Sequence, residues 1–350
     1  MPTTHPTPAH LSAFARAVRL LPFRAARALA PRPLVTLTYH AVSDAHLPHI
    51  RPLYDYKSTA DFEADLRAVR EHYQPVGEDD VRRNREENAP LPTHALTVTF
   101  DDGLRECVTE ARPLLLRYGI PSTFFVVGNL IDNRSLMFRH EVALALGAIG
   151  KLPEPGLAEV LPRLEAVGFR AGSRAELVGT LGALSYSERD RIRRMSEALG
   201  IDVDGFLRET RPYLTADEIL GLHREGFTIG AHSLTHSRLS RLDDFDAVAT
   251  EIVESCAMVR DLTGQERVPF AFPFNGLSLD RDALAGLRRV NPFVGLLYDT
   301  NTLMRDRPFI VNRIDADSVT GTTSGVSNLP LLLKIAHVRE PIRRIKHWIG

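Results

Sequence analysis

The stretch Ala95-Leu96-Thr97-Val98-Thr99-Phe100 alternates apolar and polar side chains and then stops at Asp101-Asp102-Gly103. That is the pattern of a strand running into a turn. A helical pattern over Leu104 to Tyr118 follows, closed by Gly119, and Ser122 to Val127, rich in Phe and Val, reads as the next strand. Strand, helix and strand in succession make a β-α-β unit, which requires a parallel sheet covered by helices. The alternation recurs along the chain. Leu34 to Tyr39, Phe227 to Gly230, Pro269 to Phe274 and Phe309 to Ile314 read as strands. Thr59 to His72 reads as a helix with Phe62, Leu66 and Val69 on one face; another opens with the capping-box pair Thr215 and Glu218 and closes at Gly226; a third covers Phe245 to Leu262. The fold class is therefore α/β, its parallel sheet open or closed into a barrel.

Between Ile131 and Pro212 the alternation lapses into helix-like runs near Leu136 to Leu146, Leu157 to Val167 and Ser187 to Leu199. This predicts a helical insertion over 132–212, acting as a lid or docking element on a domain that spans 34–315. A basic helical segment, 1–33, precedes that domain and a basic helical tail, 316–350, follows it. The first 43 residues contain no acidic side chain but carry Arg16, Arg19, Arg24, Arg27 and Arg32. Leu331 to Trp348 repeats the composition with Lys334, Arg339, Arg343, Arg344 and Lys346. Both ends suit either peripheral contact with an anionic membrane surface or docking on the domain with solvated basic faces. No run approaches the roughly 20 apolar residues that span a bilayer, and Leu20 to Phe23 is too short for a secretion signal. A cytoplasmic location, with or without membrane association, is expected.

Composition narrows the function by exclusion. With 43 basic against 44 acidic residues the net charge is −1, so no global field draws the chain to a polynucleotide, and no nucleic-acid partner is expected. Cys107 and Cys256 are far apart and form neither a disulfide framework nor a thiolate zinc site.

Two clusters carry chemistry. Asp101 and Asp102 follow a strand, which in an α/β barrel puts them at the rim where loops build active sites. Neighbouring residues there point in different directions, so one carboxylate can bind a metal while the other faces substrate. His232-Ser233-Leu234-Thr235-His236 also follows a strand, and histidines four apart are expected on one face of a helical turn. Two imidazoles and one carboxylate leave an open position on zinc for water. A third segment, Phe270-Ala271-Phe272-Pro273-Phe274-Asn275-Gly276, ends another strand candidate in a turn.

Thr99-Phe100-Asp101-Asp102-Gly103, His232-Ser233-Leu234-Thr235-His236 and Phe270-Ala271-Phe272-Pro273-Phe274 resemble, in order and position, the first three motifs of the polysaccharide deacetylases of carbohydrate esterase family 4, the NodB-homology domain. The resemblance implies a distorted (β/α) barrel of about seven strands and one divalent metal ion, usually zinc. It implies Asp102, His232 and His236 as metal ligands, Asp101 as general base and the Phe274 backbone N–H as an oxyanion donor. It also implies a substrate, an N-acetylated amino-sugar glycan or glycan precursor. Two positions depart from the family's pattern. Many members begin the third motif with an Arg that orients the base; here Ala271 stands there. The family's last motif, a strand ending in the general-acid His, has no match after residue 276, since His337 lies in a basic helical pattern. Leu37-Thr38-Tyr39-His40 instead resembles the circularly permuted branch, in which that strand opens the domain, and this makes His40 the expected general acid. Arg313, in Val311-Asn312-Arg313-Ile314-Asp315, either takes the place of the absent Arg or makes a surface salt bridge.

Other readings share these residues. An O-acetyl esterase or an N-deformylase acting on a lipid- or nucleotide-linked sugar would use the same site. Ala271 and the missing late His would suit a glycan-binding module with a vestigial site. Phosphoryl transfer from Asp101 wants a DxD spacing and phosphate-binding loops, and neither is present.

Overall fold

The structure, a computed structural model, describes residues 13–32, 34–242, 244–317 and 327–349, the last eight by backbone alone. Residues 1–12 and 318–326 of the expected terminal segments, and the side chains of Arg343, Arg344, Lys346 and Trp348, lie outside the described residues.

Two short helices, α1 (Ala13–Leu20) and α2 (Phe23–Leu29), precede β1 (Leu34–Tyr39). Next come α3 (Thr59–His72), whose N-terminus is capped by Ser58, the two-residue β2 (Gln74–Pro75), α4 (Glu78–Glu87) and β3 (Ala95–Phe100). One wide turn over Cys107–Ala111 leads into α5 (Arg112–Tyr118) and β4 (Ser122–Val126). Five helices follow without a strand: α6 (Phe138–Lys151), α7 (Glu154–Ala166), α8 (Arg174–Ala183), α9 (Arg189–Ala198) and α10 (Val203–Thr210). Alternation then resumes with α11 (Ala216–Arg224), β5 (Thr228–Ala231), α12 (Phe245–Thr263), β6 (Val268–Ala271), α13 (Arg281–Val290), β7 (Val294–Asp299), β8 (Ile310–Asn312), β9 (Ile314–Asp315) and α14 (Leu329–Ile349).

Every strand pairing is parallel, in the order β8-β7-β6-β5-β4-β3-β1-β9. Only Arg313 separates β8 from β9. Ile310 pairs with Leu297 of β7 and Ile314 with Leu37 of β1, so this one segment closes the sheet into an α/β barrel of seven staves. Strands buried on both faces need apolar side chains on both. Ala95, Phe125, Ala271, Leu296 and Tyr298 fill the interior, whereas Leu96, Phe124, Phe270 and Leu297 pack outward under the helices, the period-two alternation of a strand.

Two sequence expectations need correction. Val294–Asp299 is a strand the pattern did not disclose: it is buried on both faces, so apolar residues run without alternation. Gly295 within it is required by packing, because a Cβ there would sit 3.1 Å from the Val268 backbone. The strand expected over Pro269 to Phe274 stops at Ala271, since the chain turns and Phe274 adopts φ 62°.

The helices α6 to α9 enclose a separate apolar cluster that includes Val142, Ile149, Leu164, Phe169, Leu181 and Ile192, whereas Val203 and Leu207 of α10 belong to the main core. The chain leaving them is fastened to the turn after β3, with the Leu214 N–H donating to Gly103 O at 2.9 Å and the Arg105 N–H to Pro212 O at 2.9 Å. At the termini, α14 packs on α1, α2 and α3. Glu340 pairs with Arg32, and buried His337 bonds Ala30 O at 2.9 Å and Tyr73 Oη at 3.3 Å, a packing role remote from the rim.

Candidate active site

β3 delivers the two carboxylates. The Asp101 N–H still donates to Tyr39 O at 2.9 Å, continuing the ladder with β1; at Asp102 the backbone swings to φ 71°, a left-handed conformation rare outside glycine, and Gly103 follows at φ 63°. A Cβ on Gly103 would lie 3.1 to 3.3 Å from Val126, so the turn is both strained and close-packed. Its effect is to separate the two acids. Asp101 faces back over the barrel interior while Asp102 faces the loop after β5.

That loop holds the histidines, though not on the helical turn expected from their spacing. Ser233 (φ 65°) and His236 (φ 59°) bend the chain so that both rings converge, their centroids 5.0 Å apart. The Ser233 hydroxyl caps the bend by accepting the His236 N–H at 2.9 Å. Glu251 of α12 pins the loop, accepting the N–H groups of Leu234 and Thr235 at 2.8 and 3.1 Å and the Thr235 hydroxyl at 2.7 Å.

Asp102 Oδ1 lies 3.5 Å from His232 Nε2 and 3.2 Å from His236 Nε2, and the three ligand atoms fall within 4.8 Å of one another. Asp102 Oδ1 is buried without a hydrogen-bond partner. A carbonyl only accepts, so the 2.8 Å contact of His232 Nδ1 with Ala271 O fixes a proton on Nδ1 and leaves Nε2 as the ring atom that faces Asp102. Burial lowers the pKa of His236, which favours the neutral ring there. A buried orphan carboxylate oxygen facing two imidazole nitrogens is a costly arrangement alone and a suitable donor set for a divalent cation.

Arg313 is 1% exposed, so the surface salt-bridge alternative is excluded. It reaches through the barrel from the seam between β8 and β9. Its Nη1 and Nη2 donate to the two oxygens of Asp101 at 2.7 and 2.8 Å, a fork-to-fork pair 212 residues apart in sequence. Burial alone would raise the pKa of Asp101, but Arg313 outweighs it and the carboxyl is held below its ordinary range. Ala271 lies in the same interior cluster, so the guanidinium enters from a different stave.

His40 leaves β1 beside β3. Its ring Nδ1 lies 2.6 Å from Asp317 Oδ2, and its backbone N–H donates to the same oxygen at 2.9 Å. Burial disfavours a charged imidazole here, yet the Asp317 hydrogen bond and charge prevail and raise its pKa to about 10. Tyr54, from the loop after β1, spans the two halves: its hydroxyl is 3.5 Å from Asp102 Oδ2 and its ring centroid 5.3 Å from that of His40. Phe274, 39% exposed, stands at the mouth with its ring 5.2 Å from His236, and its carbonyl is held by the Thr300 hydroxyl at 2.8 Å.

All seven residues singled out in the sequence thus converge at the rim. Asp317, Glu251 and Tyr54 were missed. Asp317 and Tyr54 occupy irregular segments with no motif, and Glu251 is one acid among several on a long helix; only the fold shows what they face.

A family model described as polysaccharide deacetylase matches residues 88–290. Among curated proteins, poly-beta-1,6-N-acetyl-D-glucosamine N-deacetylase of Escherichia coli K12 is 34% identical over 61 residues, which is 17% of this chain but only 9% of that protein's length. Among solved structures, IcaB from Ammonifex degensii aligns with a TM-score of 0.52 at 16% identity, over 87% of this chain and 96% of that one. The Streptococcus pyogenes deacetylase PplD in complex with acetate aligns with a TM-score of 0.51 at 16% identity, over 82% and 93%. At such identities the structural likeness speaks for a common fold. The family match spans more than half of the chain and contains both motifs that form the cluster Asp102, His232 and His236, and on that ground the chain belongs to the polysaccharide deacetylase family.

Proposed function

We propose that this protein is a metal-dependent deacetylase that hydrolyses N-acetyl groups of an amino-sugar glycan or glycan precursor. One observation carries the reading: the orphan oxygen of Asp102 between two imidazole nitrogens, flanked by a carboxylate braced by Arg313 and an imidazole braced by Asp317. A divalent ion, zinc by the chemistry of the donor set, held by Asp102, His232 and His236, would acidify a water and polarise the acyl carbonyl.

The chain's own groups account for the proton transfers. Asp101 takes the proton of the attacking water, and Arg313 keeps the carboxylate ionised and aimed. The N–H of Phe274 meets the oxyanion. An amine leaves poorly unless protonated, so His40, held charged by Asp317, donates to the sugar nitrogen. Acetate and a free amino sugar result. The place of β1 beside β3, with His40 at its end, supports the circularly permuted reading.

The substrate named for the Escherichia coli relative supports an N-acetylated amino-sugar polymer. The insertion of 132–212 serves in this reading as a lid, supported by its attachment to Gly103. We place the enzyme in the cytoplasm or at a membrane surface; exposed Arg16, Arg19 and Arg24 beside Leu20, which is 86% exposed, support peripheral contact. Among the described residues no helix is long and apolar enough to cross a membrane.

The test measures metal stoichiometry together with acetate release from N-acetylglucosamine oligomers, with and without chelator. Release that disappears with the metal and returns with zinc supports the proposal. A metal-loaded protein that binds the oligomers without releasing acetate makes it a glycan-binding module, and release from O-acetyl but not N-acetyl sugars makes it an esterase.

A further inference from the structure

The loop that carries Phe274 leaves β6 at Ala271 and is fastened to the end of β7 at several points. The Phe272 N–H donates to Tyr298 O at 2.9 Å, the Thr300 hydroxyl to Phe274 O at 2.8 Å, and the Gly276 N–H to Asp299 Oδ1 at 2.9 Å. Asp299 is the centre of this attachment. It is the last residue of β7 and is 0% exposed. Its Oδ1 also accepts the Thr300 N–H at 2.8 Å, and its Oδ2 accepts from Arg281 Nη2 at 3.1 Å. Arg281, at the start of α13, returns to the same loop by donating Nη1 to Gly276 O, so one ion pair holds both the N–H and the C=O of Gly276. The backbone carbonyl of Asp299 accepts the Arg313 N–H at 2.8 Å, which joins the attachment to the seam that supplies the brace of Asp101.

A buried carboxylate satisfied by three donors would serve as a strand cap and nothing more. The backbone at Phe274 indicates a second role. Its φ of 62° is left-handed, which a residue with a bulky side chain adopts only where its surroundings impose it. Here the surroundings are the bonds to Phe272 N–H, Phe274 O and Gly276, all made by the end of β7. With those groups held on either side, the Phe274 N–H has no acceptor among the described residues, and the Phe274 ring lies 5.2 Å from that of His236. We infer that Asp299, with Thr300 beside it, is a positioning residue for the reaction. It holds residues 272–276 in the bend that aims the Phe274 N–H at the acyl oxygen, and so acts on the transition state through Phe274 without touching the substrate. The inference rests on the deacetylase reading, in which that N–H meets the oxyanion, and names what keeps it in place.

The test compares wild type with Asp299→Ala and Thr300→Val on an N-acetylglucosamine tetramer and on an activated acetyl ester, with metal stoichiometry as the check on folding. Asp299→Ala should lose about 10- to 100-fold in kcat, below the roughly 10²–10³ that outright loss of an oxyanion donor costs, with KM changed by less than about threefold. The loss should be equal on amide and ester, because both pass through the oxyanion. Asp299→Asn, which keeps an acceptor for Gly276, should recover most of it. Thr300→Val removes one hydroxyl bond and should lose about three- to tenfold. A merely structural Asp299 would leave one quantity unmoved: the affinity for a tetramer in which a methylphosphonyl group, a charged tetrahedral copy of the oxyanion, replaces one acetyl. By calorimetry that affinity should fall in each variant by the same factor as kcat/KM. Where Asp299→Ala does not fold, Thr300→Val decides by the same two measurements. An unchanged kcat in the folded variants, or a fall in kcat with unchanged affinity for the phosphonyl tetramer, overturns the inference. Acetate release from neither substrate by the wild type would overturn the deacetylase reading instead. Binding of the phosphonyl tetramer is then decisive: weaker binding in the variants supports the positioning role, and absent or equal binding refutes it.

Discussion

Asp102, His232 and His236 come from loops that directly follow β3 and β5, inside the stretch shared with the family, and short-range bends aim them. His40, Asp317 and Arg313 lie outside that stretch, near the two ends of the barrel chain, and meet because β9 docks on β1. The half of the site proposed to hold the metal is therefore a local construction on two staves with only β4 between them. The proton-handling half exists only when the barrel is closed. In the proposed mechanism a chain built this way keeps its metal while losing its acid and the brace of its base, so metal binding and turnover should separate cleanly under mutation.

The largest effect should come from the local half. His232→Ala reduces three ligands to two and should remove most of the metal by elemental analysis, with activity falling on the order of 10⁴-fold. Full metal occupancy in that variant would show that the ion sits elsewhere.

Asp101→Asn lies at the boundary between the halves. It should retain metal and lose about 10² to 10⁴ in kcat, because an amide cannot take the water's proton. An unchanged kcat would remove Asp101 from the mechanism.

His40→Ala probes the closed-barrel half alone. Metal should remain, and hydrolysis of the N-acetyl amide should fall by about 10² while an activated acetyl ester, whose leaving group needs no proton, loses less than about tenfold. Equal losses on both substrates would rule out His40 as the acid.

Arg313→Lys keeps a charge but not the fork. A single ammonium cannot reproduce two parallel N–H bonds to Asp101, so kcat should drop by about tenfold with metal intact. Removing the charge altogether, in Arg313→Met, should also cost about 3–5 kcal/mol of stability in denaturant unfolding, because a buried carboxylate loses its partner.

The smallest effect at neutral pH belongs to Asp317→Asn. The Asp317 carboxylate raises the His40 pKa against burial, to about 10, and the acid works only while protonated. Losing the carboxylate lowers that pKa, so the alkaline limb of the pH–rate profile for amide hydrolysis should move to lower pH by about 1–3 units. A limb that stays in place would separate Asp317 from the acid.

Residue patterns made the local half readable. A strand that stops at Asp101-Asp102-Gly103, and a histidine pair that follows another strand, announce rim residues because backbone and motif are contiguous. Even there the sequence misjudged the means. Spacing of four suggested a helical turn, whereas positive φ at Ser233 and His236 does the work, with Glu251 as anchor. Backbone bends of that kind leave no periodic trace.

The linear order of residues determined the parallel α/β architecture, because strand–helix alternation permits little else, and it determined which two motifs could share an ion, because side chains at strand ends gather at one rim. Tertiary structure alone decided the pairing of Arg313 with Asp101 across 212 residues and of Asp317 with His40 across 277. Nothing in local chemistry marks those partners. Their meeting depends on a single segment, Ile310 to Asp315, bonding β7 with its first half and β1 with its second, and closure of a barrel is a property of all its staves at once.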